Sequence, residues 1–262
     1  GGFLMGLLHA VVLGVVEGVT EFLPISSTGH MIIASRFMQI PETEFLKTFE
    51  IAIQLGAILA VFSMYWRTFL LDWEIGRKVM AAFVPTAVIG FILYKFIKTF
   101  LLGNIVVVGL ALLVGGVLLI LFEKMHKEKD VKVHDLKDIT YVQAVIIGTA
   151  QALAVVPGVS RSAATIVGGL MLGVSRVCIV EFSFLLAVPT MLAATVLDII
   201  KSRAEITLAD WGALAVGFVV AFIVAYAAVR FLLIYVRNNN FIAFGVYRIM
   251  MGFLVLLFLA RH

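Results

Sequence analysis

Apolar residues run along this chain in long unbroken blocks, not in the short alternations of half-buried soluble elements. Six blocks are long enough to cross a bilayer as helices: about 51–66, 79–97, 104–122, 179–200, 209–229 and 241–259. A spanning helix needs roughly 20 apolar residues. Two further blocks are broken near their middle. Residues 5–38 are cut by Leu23-Pro24-Ile25-Ser26-Ser27-Thr28-Gly29-His30, and residues 141–174 by Pro157-Gly158-Val159-Ser160-Arg161-Ser162. Each flank has only about 15 residues. That is short for a crossing but suits a hairpin that enters and leaves on one side. Non-helical backbone at membrane depth survives only where protein or a wet cavity satisfies its polar groups.

The two broken blocks lie 133 residues apart when Pro24 is laid on Pro157, and three spanning runs follow each. This predicts an internal repeat. With three crossings per copy, the second copy is inverted relative to the first, and broken helices at matching positions point to the binding site. The expected fold is all-α: a polytopic membrane protein of six transmembrane helices plus two re-entrant helical hairpins. It forms one integral membrane domain over 1–262, with repeats of approximately 3–122 and 141–259 joined by a charged cytoplasmic loop, 123–140. On that topology the cytoplasmic side collects eleven Lys and Arg, from Arg67 to Arg237, against seven outside, from Arg36 to Arg261. Arg161 and Arg248 fall inside the membrane. The bias follows the positive-inside rule with both termini outside.

Composition strengthens the membrane reading. The chain is 63% hydrophobic and 14% charged, with a mean hydropathy of +1.13. Soluble domains are about 25% charged. A net charge of +4 scattered through short loops argues against a nucleic-acid partner. The single cysteine, Cys178, reads as a packing residue. The opening Gly1-Gly2-Phe3 lacks the basic region of a signal peptide. The alternating charges of His126-Lys127-Glu128-Lys129-Asp130 read as a solvated loop, not a metal site. Gly14-Val15-Val16-Glu17-Gly18 and Gly169-Leu170-Met171-Leu172-Gly173 have the spacing of close helix packing.

Ionisable groups inside a membrane are costly and usually functional, and here they gather at the two breaks. Glu17 and Glu21 are four apart and share a helix face. Two buried carboxylates there need a cation, a proton or an arginine between them, so a divalent metal or an acid/base role is expected. Pro24 ends one half-helix, and the Ser26-Ser27-Thr28 hydroxyls suit the start of the next. Capping alone explains hydroxyls, but His30 adds a proton-transfer group. In the second break, the Arg161 guanidinium matches a phosphate fork at a helix start that favours anions. A simple Arg161 pairing with Glu17 or Glu21 is compatible with that role. The combined set suits a phosphoryl group entering from the bilayer. Its anion-binding part is Ser160, Arg161 and Ser162, and its nucleophilic part is Ser27 with His30.

These residues carry a family resemblance. The stretch Glu17-Gly18-Val19-Thr20-Glu21-Phe22-Leu23-Pro24-Ile25-Ser26-Ser27-Thr28-Gly29-His30, with Pro157-Gly158-Val159-Ser160-Arg161-Ser162, resembles the bacterial undecaprenyl-diphosphate phosphatases, also called bacitracin-resistance proteins. The stretches 49–56 and 181–189 support it, and the match runs nearly end to end. The resemblance implies hydrolysis of a C55 polyprenyl diphosphate to the monophosphate and inorganic phosphate, which recycles the cell-wall lipid carrier and opposes bacitracin. It implies catalytic roles for Glu17, Glu21, Ser27, His30 and Arg161, and diphosphate binding by Ser26, Thr28, Ser160, Arg161 and Ser162. It also implies a divalent cation, Mg²⁺ or Ca²⁺, at Glu17 and Glu21. The site would open to the outer face of the bacterial cytoplasmic membrane. The expected partners are the lipid diphosphate and the bilayer, and a homodimer is admitted. The family pattern has Gly after Ser-Arg-Ser, where this chain has Ala163; a helical first turn would accept it.

Two rivals remain at this level. Inverted repeats with broken helices also mark transporters and lipid flippases, and fold does not settle function. A flippase, however, needs no nucleophile. A non-catalytic membrane subunit would not need so many intramembrane ionisable groups.

Overall fold

A computed structural model describes residues 5–96, 100–101, 104–126, 131–201 and 210–259. The chain folds into ten helices among the described residues: α1 Leu7–Thr20, α2 Ser27–Phe37, α3 Glu44–Leu71, α4 Trp73–Phe96, α5 Ile105–Met125, α6 Tyr141–Gln151, α7 Arg161–Met171, α8 Arg176–Lys201, α9 Asp210–Tyr235 and α10 Ile242–Leu259. The protein is an all-helical, multi-pass membrane protein. Five helices, α3, α4, α5, α8 and α9, are long and apolar enough to cross a bilayer. The expected sixth run became α10. It is apolar but has 18 residues, about 27 Å at 1.5 Å per residue, just short of a hydrocarbon core of roughly 30 Å.

Local chemistry sets many helix ends. Thr43 caps α3 by accepting from the Leu46 N–H at 3.1 Å, and Asn104 caps α5 through the Val106 and Val107 N–H groups. Thr140 and Gln143 form a capping box at α6. The spans keep apolar residues on both faces, as lipid-facing helices must. Phe91, Leu118 and Ile234 point outward while Leu112, Val61 and Leu232 are buried. Helix α8 is the most enclosed span, with 61% of its apolar window buried, so it forms the centre of the bundle.

Helices exchange partners between the halves. Helix α1 packs on α9, and α6 packs on α4; α5 lies against α10. Gly148 makes the α4–α6 approach possible, since a Cβ there would collide with the Ala82 carbonyl. Gly14 plays the same part on α1, where a Cβ would sit 2.8 Å from the Gly217 oxygen. Gly173 does not follow the packing expected of it. Its φ of +75° and the bonds Gly173 N–H to Leu170 O and Val174 N–H to Gly169 O make it the left-handed cap that ends α7.

Charged residues staple the end of the bundle away from the tips. Arg176 grips both oxygens of buried Glu123, which also accepts the Phe241 N–H at 3.0 Å. Lys78 donates to Glu74 and to the Lys137 carbonyl. The Lys137 ammonium, 3.1 Å from Asp72, lowers that carboxyl from its ordinary range and is itself raised by it. Of the run His126 to Asp130, residues 127–130 lie outside the described residues, as do Arg203 and Arg261.

Candidate active site

The four short helices α1, α2, α6 and α7 meet in pairs at two tips. Helices of 11 to 14 residues reach only about 16–21 Å at 1.5 Å per residue, shorter than a hydrocarbon core of roughly 30 Å. In the first tip, Glu21 continues the helical backbone of α1 and donates its N–H to the Glu17 carbonyl. Glu17 is buried on the same side. The chain then folds sharply, and Ser26 takes φ +71° and ψ 101° to launch α2. An L-residue pays a steric penalty in that region. Ser27, the first residue of α2, donates its Oγ–H to Glu21 Oε2 at 2.6 Å.

The second tip repeats the strained launch. Ser160 has φ +71° and ψ 113°, and its Oγ accepts the Ala163 N–H at 3.3 Å. Arg161 then opens α7. Its Nη2 lies 3.4 Å from Glu21 Oε1, and its Nη1 donates to the Ser183 carbonyl at 3.1 Å. Phe22 lies beneath the guanidinium, 5.7 Å from ring centre to Cζ. Glu21 therefore holds the Ser27 hydroxyl on one oxygen and the Arg161 guanidinium on the other.

The strained serines are 134 residues apart, one more than the prolines. Gly158, at φ +94°, inserts an extra residue between proline and serine in the second tip. The register that aligns the serines puts Arg161 at the place of Ser27 and Gln151 at the place of Glu17. The prolines alone would have misplaced both.

Both tips border one cavity of about 270 Å³. Glu21, Ser26, Ser27, Thr28, Ser160 and Arg161 line it, joined by Gln54, Thr86, Gln151 and Thr190. The other expected site residues stand behind this wall. Glu17 is buried and outside the lining. Ser162 spends its hydroxyl proton on the Leu23 carbonyl at 2.9 Å and so stitches the tips together. Both His30 ring nitrogens have partners other than Ser27. Nδ1 meets the Ser26 carbonyl at 2.8 Å and Nε2 meets the Tyr247 hydroxyl at 2.7 Å. The reason lies in the turn: Ser26 swings its carbonyl over the first turn of α2, where His30 sits four residues on.

Comparison with known proteins gives the family. The family described as bacitracin resistance protein BacA matches residues 10–254. The chain belongs to that family. An undecaprenyl-diphosphatase of Sulfurihydrogenibium is 52% identical over 250 residues, covering 95% of this chain and 98% of the relative. One of Aquifex aeolicus is 48% identical, covering 93% and 95%, and one of Wolinella succinogenes is 46% identical, covering 97% and 99%.

Within the BacA framework, Ala163 stands inside the first turn of α7, where helical φ suits alanine. The positive-φ positions of this tip are Gly158 and Ser160 instead. Sequence reasoning placed Arg248 in the membrane without giving it a role. It is 1% exposed and donates to the Pro24, Gly158 and Ala111 carbonyls, so it clamps both tips to α5. The cost of a lone intramembrane arginine was the available signal. Gln151, Thr86 and Thr190 carried none, because isolated polar residues in apolar helices are common. Gln151 Nε2 donates to both threonine hydroxyls at 3.0 Å.

Among the described residues, no cluster of three or more His, Cys, Asp or Glu could hold a metal. Two carboxylates are nonetheless enough for a cation that also binds substrate phosphate. Glu21 lines the cavity and Glu17 lies one turn behind it, outside the lining, so Glu21 is the carboxylate of the pair that could meet a cation shared with the ligand.

Proposed function

We propose that this chain hydrolyses undecaprenyl diphosphate to undecaprenyl phosphate and inorganic phosphate, recycling a lipid carrier of cell-wall synthesis and opposing bacitracin. The observation that carries the reading is the short bond from Ser27 to Glu21, with Arg161 on the same carboxylate and in the same cavity. Glu21 takes the Ser27 proton as Oγ attacks the terminal phosphorus. The bond from phosphorus to the bridging oxygen breaks, and the lipid monophosphate leaves. Glu21 gives that proton to the departing monophosphate, then takes one from the water that attacks the phosphoserine and passes it to Ser27 Oγ as inorganic phosphate is released. Arg161 and the N–H groups at the starts of α2 and α7 balance the charge that shifts onto the equatorial oxygens. A divalent cation, Mg²⁺ or Ca²⁺, would be held by Glu21 with Glu17 behind it, and would supply positive charge against the diphosphate. His30 and Ser162 hold the tips, while Ser26, Thr28 and Ser160 line the phosphate end.

The same reading includes six spans and two re-entrant hairpins in an inverted repeat. The exchanged pairings α1–α9 and α6–α4, and the matching Ser26 and Ser160, support it. The protein would lie in the bacterial cytoplasmic membrane with the tips open to the outer face, as monomer or homodimer. A lipid flippase could use the same cavity, but it would release no phosphate.

The test is phosphate release from the C55 diphosphate in detergent, with and without excess EDTA. Release that stops on chelation and returns with Mg²⁺ or Ca²⁺ is the expected result. Lipid transfer between leaflets of vesicles without phosphate release would favour the flippase. Full turnover in EDTA would leave Glu17 and Glu21 as an acid/base pair.

A further inference from the structure

Helix α10 reaches the first tip with two consecutive residues. Arg248 takes the Pro24 carbonyl at 3.4 Å, and Tyr247 meets His30 Nε2 at 2.7 Å. The Tyr247 and His30 rings are parallel to within 3°, with centroids 5.4 Å apart, so a ring contact accompanies the bond. Proton counting fixes its direction. The Ser26 carbonyl can only accept, so His30 Nδ1 carries a proton. A cationic ring would need a counter-charge, and neither of its partners carries one. The ring is therefore neutral, and Nε2 accepts from the Tyr247 O–H. No ring nitrogen remains for Ser27.

We propose that Tyr247 is a positioning residue for the reaction, holding His30 in its Nδ1–H tautomer and through it the Ser26 carbonyl that sets Ser27. The inference rests on Ser27 and Glu21 being the reactive pair. The chain of contacts runs from Tyr247 to His30 to the carbonyl of the strained residue, and the next peptide carries the nucleophile. A residue at φ +71° relaxes unless its surroundings hold it, and the Ser26 side chain makes no cap bond to help. The strut supplies that restraint from the opposite half of the chain.

The experiment compares wild type, Tyr247→Phe, His30→Ala and the double variant as full-length protein in detergent. Phosphate release from the C55 diphosphate is measured beside the ¹⁵N imidazole spectrum, with His30 assigned by its loss in His30→Ala. Tyr247→Phe is expected to lower kcat about tenfold with KM within about twofold, as for an interaction realised in the transition state. In the His30→Ala background the tyrosine change should cost nothing further. The wild-type spectrum should show protonated Nδ1 and bare Nε2, and Tyr247→Phe should release a tautomer mixture. Wild-type kcat in Tyr247→Phe, an undiminished loss in the double variant, or a protonated Nε2 in wild type would each overturn the proposal. Retained turnover in Ser27→Ala would instead remove the serine reading, and the spectrum would still measure the strut.

Discussion

The two tips share a backbone and differ in chemistry. Each brings a short helix to a serine at φ +71° and launches a second short helix from it. On the first tip the launch presents a hydroxyl, Ser27, beside the carboxylates Glu17 and Glu21. On the second it presents a guanidinium, Arg161, in the cavity that the neutral amide of Gln151 also lines. On the proposed mechanism, the shared turn delivers a nucleophile with its base on one side and an anion clamp on the other. A diphosphate needs both, from opposite directions. Two turns of the same backbone geometry, carrying different side chains, are enough to build such a site.

The largest effects come from removing what makes each tip distinctive. Ser27→Ala is expected to abolish nearly all turnover. Retention of more than about a tenth of wild-type kcat, a deficit under roughly 1.4 kcal/mol, would move the nucleophile's role to water oriented by Glu21. Trapping of phosphoserine under slow turnover would fix the covalent route. Arg161→Lys keeps the charge but loses the fork that reaches Glu21 and Ser183 together. A loss of at least about tenfold in kcat/KM is expected, read from steady-state phosphate release. Near wild-type turnover in folded Arg161→Lys would break the clamp.

Much of this was legible in the sequence, and the gaps have physical causes. Long apolar blocks and their two breaks predicted the helices and the tips, because backbone in a membrane must bond to itself or face a wet cavity. Costly intramembrane charges marked Glu17, Glu21, His30 and Arg161. Sequence spacing could not show which proton acceptor Ser27 meets. Ser27 and His30 share a face by periodicity, yet the turn at Ser26 sends the hydroxyl to Glu21 and the imidazole to Tyr247, 217 residues away. Long-range partners of this kind leave no local pattern. The repeat register slipped by one for a similar reason: a glycine at positive φ lengthened one tip without changing its hydrophobic pattern.

An intermediate effect comes from making the tips more alike. Gln151→Glu would give the second tip the carboxylate that Glu17 gives the first. Thr86 and Thr190 already spend their protons on the Gly148 and Leu186 carbonyls, so they need the amide N–H groups of Gln151. The new carboxylate would lose both bonds and place a negative charge in a cavity that must accept a diphosphate. KM is expected to rise about tenfold, a penalty of about 1.4 kcal/mol, with kcat changed less. An unchanged KM would show that the diphosphate stays clear of this end of the cavity.

The smallest expected effect probes the shared turn itself. Glycine adopts positive φ without steric cost, whereas an L-residue there costs on the order of 1–3 kcal/mol. At Ser160 a glycine also removes the hydroxyl that accepts the Ala163 N–H and lies 3.2 Å from Ser162, so gain and loss nearly cancel. Ser26 makes no such cap bond, so Ser26→Gly should stabilise the protein by up to about 1 kcal/mol, seen as a higher Tm in detergent. Its turnover should fall at the same time, because a relaxed Ser26 no longer fixes the peptide leading to Ser27. Ser160→Gly should leave Tm within about a degree or two, a change of a few tenths of a kcal/mol. A raised Tm with unchanged kcat in Ser26→Gly would mean that the strain at the first tip is carried without use. Raised Tm with lowered kcat would mean that the turn stores strain to aim the serine.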